Sequence, residues 1–286
     1  MHLGNSRLRD IVVIVLAIAA AWQRPAGVYA GQPWSDARTT GPFFCQADFS
    51  LEPYGELFKE LETLQHELVR VLGISPANEQ IRVYLFKDKA SYRSFLRRQL
   101  PHVPYRRALY VKHDGPGMVF AFRHSELAVD LRHECTHALL HASLPMVPLW
   151  LDEGLAEYFE APADERAFLN PHLASLRWNL RLGMMLSLEA LEHKASLREM
   201  NAQQYRFAWA WVHFMLHGPV AAHRQLVDFL ADIETHSPPG LLSARLRGRI
   251  PKLESEIVRH FKTWRRPTAG TAFRAERYKR FQMHRL

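Results

Sequence analysis

Apolar residues recur at changing intervals along this chain, and each interval predicts an element. Between residues 51 and 72, Leu57, Leu61, Leu64, Leu68 and Val71 fall near a 3.6-residue period. That spacing lines one face of a helix, and Gly73 supplies its stop. Ile81-Arg82-Val83-Tyr84-Leu85-Phe86 alternates instead and predicts a strand, as does the run 43–49. Residues 87–100 predict a helix halted before Pro101. Two short strands, 108–111 and 118–122, flank the turn Asp114-Gly115-Pro116-Gly117. A helix follows over 125–144, is broken by Pro145 and Pro148, and gives way to a second at 149–160. Beyond it every periodic segment is helical: 171–182, 186–193, 201–217, 219–235 and 253–264. Residues 31–42 carry no period and read as a linker. No internal repeat or low-complexity stretch interrupts the series. Strands and helices first, helices after, define an α+β protein with a small mixed sheet in a subdomain at 43–160 and a helical subdomain at 161–264.

Composition changes this picture little, since 48% hydrophobic and 23% charged residues are ordinary for a globular chain. The net charge of +8 points toward nucleic acid until its distribution is considered. Residues 265–286 hold seven basic residues and one acid, Glu276, while residues 1–30 hold Arg7, Arg9 and Arg24 against Asp10. These two ends account for the whole excess, so the body is near neutral and gives no ground for specific nucleic-acid binding. The tail, 265–286, reads as a disordered basic extension able to touch an anionic envelope surface. Residues 1–30 read as a secretory signal peptide. Arg7 and Arg9 precede an apolar run over 11–22 that is too short to span a bilayer comfortably, and Val28 and Ala30 suit cleavage after Ala30. The alternative is an uncleaved anchor. Either implies an exported protein, periplasmic, secreted or in the cell envelope. Two cysteines, Cys45 and Cys135, exclude a disulfide scaffold and leave one bond between them open.

The chemistry lies in the helix at 125–144, which contains His133-Glu134-Cys135-Thr136-His137. Positions i and i+4 share a helix face, so His133 and His137 can grip one zinc ion, and Glu134 can reach a water beside the metal as general base. Cys135 is about 200° round the helix from that face and reads as a small core residue. His141 stands eight residues beyond His133, about 12 Å along a helix, too far for one ion with ~2 Å bonds to hold both, and it reads as structural. A third ligand is needed. The run Trp150-Leu151-Asp152-Glu153-Gly154-Leu155-Ala156-Glu157-Tyr158-Phe159-Glu160 offers Glu153, Glu157 and Glu160.

The box and this run together resemble the gluzincin zinc metallopeptidases, the thermolysin-like and aminopeptidase N-like enzymes. They also resemble a bacterial family of peptidase-like proteins with strands before the zinc helix and helices after it. The resemblance is strong over residues 120–160 and extends weakly to about 217. It implies a zincin-like fold, with a small mixed sheet behind the zinc helix and a helical half closing the cleft. Asp152-Glu153-Gly154-Leu155-Ala156 echoes the family's N-E-G-F-A run, which implies Glu153 as third ligand and Glu157 as the carboxylate orienting a ligand histidine. Fifteen residues lie between His137 and Glu153, fewer than is usual in the aminopeptidase branch, so the connection must be tight. Tyr205 faintly matches the family tyrosine that hydrogen-bonds the oxyanion, with Ala208 where glycine is usual; Phe207, Trp211 and Met215 also fit a plain aromatic core stripe. His213 and His217 on that helix read as structural. The implied activity is zinc-dependent hydrolysis of a peptide or protein substrate. The strand at 118–122 is expected to be the edge strand that pairs with substrate. The family's G-x-M-E-N acid, which seats a free amine, is matched by Val119, and this leads to an endopeptidase. Rival readings are a non-catalytic scaffold of the same fold and a zinc hydrolase of a non-peptide bond.

Overall fold

Alternation along the strands sorts their side chains onto two faces of one sheet. The computed structural model describes residues 14–15, 34–112 and 115–266. Its strands are β1 (Ile14–Val15), β2 (Asp36–Thr40), β3 (Phe43–Ala47), β4 (Ile81–Phe86), β5 (Ala108–Lys112) and β6 (Met118–Phe122). They form a six-stranded sheet in the order β1-β5-β6-β4-β3-β2. The centre, β3, β4 and β6, is parallel; β2 and β5 run antiparallel to their neighbours β3 and β6. On one face Val83, Leu85, Val119, Ala121 and Tyr110 join the main core. On the other, Tyr84, Phe86, Phe120, Phe122 and Leu109 pack with Tyr92, Phe95 and Leu96 of helix α2 (Lys89–Gln99). A period of two with both phases apolar is the mark of a sheet covered on both sides.

The main face is covered by α1 (Gly55–Leu72) and α3 (Leu127–Ser143). Phe58, Leu61, Leu64 and Leu68 are the buried stripe of α1, which ends where Gly73 adopts φ 69° and returns its N–H to Val69 O. Next come α4 (Leu149–Phe159), α5 (His172–Arg181), α6 (Leu188–Glu192), α7 (Ala202–His217), α8 (Val220–Glu234), α9 (Leu242–Arg249) and α10 (Leu253–Thr263). One buried cluster runs from Phe43 to Phe261, across the expected boundary at 160/161. The α+β arrangement expected from the sequence is the one observed, with the sheet behind α3 and the helices over it.

Three expectations need correction. The segment 31–42 is no plain linker, because Asp36–Thr40 forms β2 and pairs with β3. The strand β6 is not an edge: it pairs with β4 on one side and β5 on the other, so both its hydrogen-bonding edges are occupied. Val119, expected at the substrate-amine position, is fully buried among the apolar residues of the main core. Helix α9 carries no strong apolar period and was not expected. Cys45 and Cys135 are both buried free thiols, and burial raises the pKa of each. The segment expected to be a signal peptide, apart from Ile14 and Val15, which pair with β5 as β1, and the expected basic tail beyond Arg266 lie outside the described residues. Among the described residues no helix is long and apolar enough to cross a membrane.

Candidate metal centre

Helix α3 is buried nearly all round, so its polar residues must find partners inside the protein. Leu144 is extended ahead of Pro145, as a residue before proline prefers, and Pro148 leads directly into α4. This tight connection folds α4 back against α3. It brings together His133, His137 and Glu153, each 0% exposed. Glu153 Oε2 lies 3.9 Å from Nε2 of His133 and 3.9 Å from Nε2 of His137. The three donors lie within 4.8 Å of one another.

Each imidazole is aimed by a carboxylate behind it. His137 Nδ1 is 2.9 Å from Asp152 Oδ1, and His133 Nδ1 is 3.0 Å from Glu160 Oε2. With Nδ1 acting as donor, Nε2 is the nitrogen left for a metal. Glu160 is itself held by Arg132, whose Nε donates to the Glu160 carbonyl at 2.6 Å and whose Nη1 reaches Glu60 at 2.6 Å. The other oxygen of Asp152 is 3.0 Å from His141 Nε2. The orienting role expected of Glu157 therefore falls to Glu160. Glu157 lies close to both His133 and Glu160 and bonds His172 Nε2 at 2.9 Å. At seven residues from Glu153, Glu160 returns to the same face of α4 and extends past it to His133.

Among the donors that face one another, His133 Nε2, His137 Nε2 and both oxygens of Glu153 have no hydrogen-bond partner in the protein, while the buried carboxylate of Glu134 is eased by the Tyr110 backbone N–H. Buried polar atoms are paired in more than about nine cases in ten, so four orphans at one point call for an ion or a reacting molecule. The donors fit zinc. Two imidazole nitrogens and one carboxylate are a typical set, and tetrahedral ligands with ~2.0 Å bonds lie about 3.3 Å apart, a small contraction from the spacing here.

Charge is concentrated at this point. Burial pushes Glu153 well above the usual carboxylate range, and it pushes Glu134 up to about 8 against the pull of His133. Burial disfavours a charged His133, but the hydrogen bond and charge of Glu160 hold its imidazole up at about 10. For His137 burial prevails over Asp152 and lowers it to about 4. Burial would also neutralise Asp152, yet His137 and His141 keep it well below the usual carboxylate range. A divalent cation would favour the anions of Glu134 and Glu153.

Tyr205 lies in the first turn of α7. Asn201 and Gln204 form a capping box there, each side chain bonding the other residue's backbone N–H. The side chain is partly buried, and the phenol is raised by burial and by the charges of Glu153, Glu157 and Glu134, so Tyr205 belongs to this region. His213 and His217 are engaged elsewhere: His213 bonds the Ala167 carbonyl and His260, and His217 bonds the Tyr158 hydroxyl at 2.7 Å.

Asp152, His141 and Glu160 are the participants the sequence did not assign. The one signal for His141 and Asp152 was the continued i, i+4 spacing of His133, His137 and His141, facing a run in which Asp152 precedes Glu153.

Among solved structures, the chain is similar to an M1 zinc metallopeptidase from Deinococcus radiodurans, with 15% identity and a TM-score of 0.40 over 80% of this chain and 50% of that one. A point mutant of that enzyme gives 15% identity and 0.42, over 82% and 52%. The chain spans about half the length of these structures. No protein-family profile matches the chain, and no curated protein matches it in sequence.

Proposed function

We propose that this protein is a zinc-dependent peptidase, with the metal held by His133, His137 and Glu153. The observation that carries the reading is the convergence of the orphaned donors of His133, His137 and Glu153 from α3 and α4, with the buried Glu134 next to His133 in the chain. Bound zinc would polarise an attacking water and a substrate carbonyl. Glu134 takes the water's proton and returns it to the leaving amine. Tyr205, kept protonated by burial, donates its O–H to the developing oxyanion. A peptide or protein substrate aligns along β5 by strand addition. Among the described residues, β6 pairs with one edge of β5, and the strand on its other edge, β1 at Val111 and Lys112, lies within residues 1–30, so their removal frees that edge. Cleavage within chains belongs to the same reading. Export, with removal of residues 1–30, belongs to the same reading, and a mature N-terminus at Gly31 would support it.

The test is metal analysis of the purified protein combined with peptide cleavage by wild type and Glu134→Gln. The variant should retain one zinc per chain and lose turnover by about 10²–10⁴-fold. Near-wild-type turnover would remove Glu134 as the base. Matched peptides with free and acetylated N-termini decide the mode of cleavage.

A further inference from the structure

His141 stands one helical turn beyond His137 on α3, and its Nε2 is 3.0 Å from Asp152 Oδ2. The other oxygen, Oδ1, is 2.9 Å from His137 Nδ1. Two imidazoles four residues apart thus grip one carboxylate, one at each oxygen. The next residue, Glu153, faces the metal-binding nitrogens. Asp152 is 3% exposed, so an oxygen that loses its partner has no bulk water to replace it.

We propose that His141 is a positioning residue for the metal centre: by donating Nε2–H to Asp152 Oδ2 it locks the carboxylate that aims His137, and so sets zinc affinity. The inference rests on the zinc reading above. An aspartate bonded through one oxygen keeps a broad, two-fold torsion about its last bond. A second bond, at the other oxygen, stops that rotation and gives His137 Nδ1–H a single direction. His141 is itself braced. Its ring stacks on Tyr110 with centroids 5.7 Å apart and planes 22° apart. Its carbonyl accepts from Lys112 Nζ at 2.6 Å, and Lys112 pairs with Glu79 at 2.7 Å. Tyr110 and Lys112 both belong to β5, so a continuous set of contacts links β5 through His141 and Asp152 to His137. A space-filling role would need the ring and not its N–H.

The experiment compares wild type, His141→Phe and His141→Gln. Zinc affinity is measured by competition with a chromogenic chelator, and thermal unfolding of each metal-free protein is followed in parallel. Phenylalanine keeps the stack on Tyr110 and loses the donor; glutamine keeps an amide N–H near the position of Nε2. The expected result is a zinc affinity weakened about 10-fold or more in His141→Phe, the usual scale for losing such a partner, and near wild type in His141→Gln. Wild-type affinity in His141→Phe would overturn the proposal, whatever its melting temperature. So would an affinity in His141→Gln that is reduced while its metal-free melting temperature is unchanged. If His141→Phe does not fold, His141→Gln decides. A wild type that binds no zinc would instead defeat the zinc reading itself, and the inference with it.

Discussion

Glu153 has both carboxylate oxygens buried without a protein partner, an arrangement that costs ~1–3 kcal/mol or more unless a cation completes it. The carboxylates around it divide by geometry into one that faces the donors and others that stand behind them. Glu153→Ala should therefore lose zinc to a chelator, while Glu157→Ala should keep it. Metal analysis after dialysis checks both, and the opposite result would make Glu157 the ligand. Glu160→Ala leaves His133 Nδ1 without its acceptor, and a zinc affinity lower by about 10–100-fold is expected from the same measurement. At this scale the histidine box was legible because helical spacing alone puts His133 and His137 on one face. Which acid serves which imidazole was not legible. That depends on how α3 and α4 cross, and Glu153, Glu157 and Glu160 all lie near one face of α4.

Between elements, α4 packs closely on α7 as well as on α3. A Cβ placed on Gly154 would stand 2.7 Å from Ala208 O and 2.9 Å from Val212 Cγ2, closer than real Cβ contacts allow. Only glycine lets the two helices approach so closely. The position of Tyr205, one turn before Ala208, follows from that approach. Gly154→Ala should cost about 1–3 kcal/mol in urea unfolding, the usual range for overpacking, and should reduce turnover more than zinc content. An unchanged unfolding midpoint would mean that α7 shifts without resistance. Strand order is also a property of this scale. The apolar runs of β5 and β6 look alike, and nothing local distinguishes an edge from an interior strand. Helix α9 is unmarked by any apolar period for a similar reason. It is short and arginine-rich, and Ser243 and Arg245 tie it to Glu192 and Asp232 on other helices.

Across the whole molecule, histidines close the helical half. His213 bonds Ala167 and His260, the rings of His213 and His260 contact Trp264, and Trp264 Nε1 donates to Ala167 O at 2.7 Å. Burial lowers His213 well below its usual value and lowers His260 to about 4, so both stay neutral in the fold. In the unfolded chain such residues titrate near ~6.5. Their contribution to stability is therefore complete above about 6.5 and is lost as the pH falls toward about 4, because the unfolded state binds protons first. The urea midpoint should drop across that window, and the His260 ring resonances should remain those of the neutral form until about pH 4. Titration of His260 near its ordinary value would contradict this.

Spacing along one chain determined much of this protein. The helix period of 51–72, the alternation of 81–86, the proline-bounded helices α3 and α4 and the histidine box are all local patterns, written in residues a few positions apart. Tertiary structure alone decided the rest: that Asp36–Thr40 pairs as a strand, that β6 is interior and β5 flanks it, that one core crosses residue 160, and that Glu160 and the Asp152–His141 pair stand behind His133 and His137. The physical reason is the same in each case. A helix or strand face depends on the chain's own repeat, whereas a strand's neighbour or an imidazole's acceptor depends on where another element, tens of residues away, comes to rest.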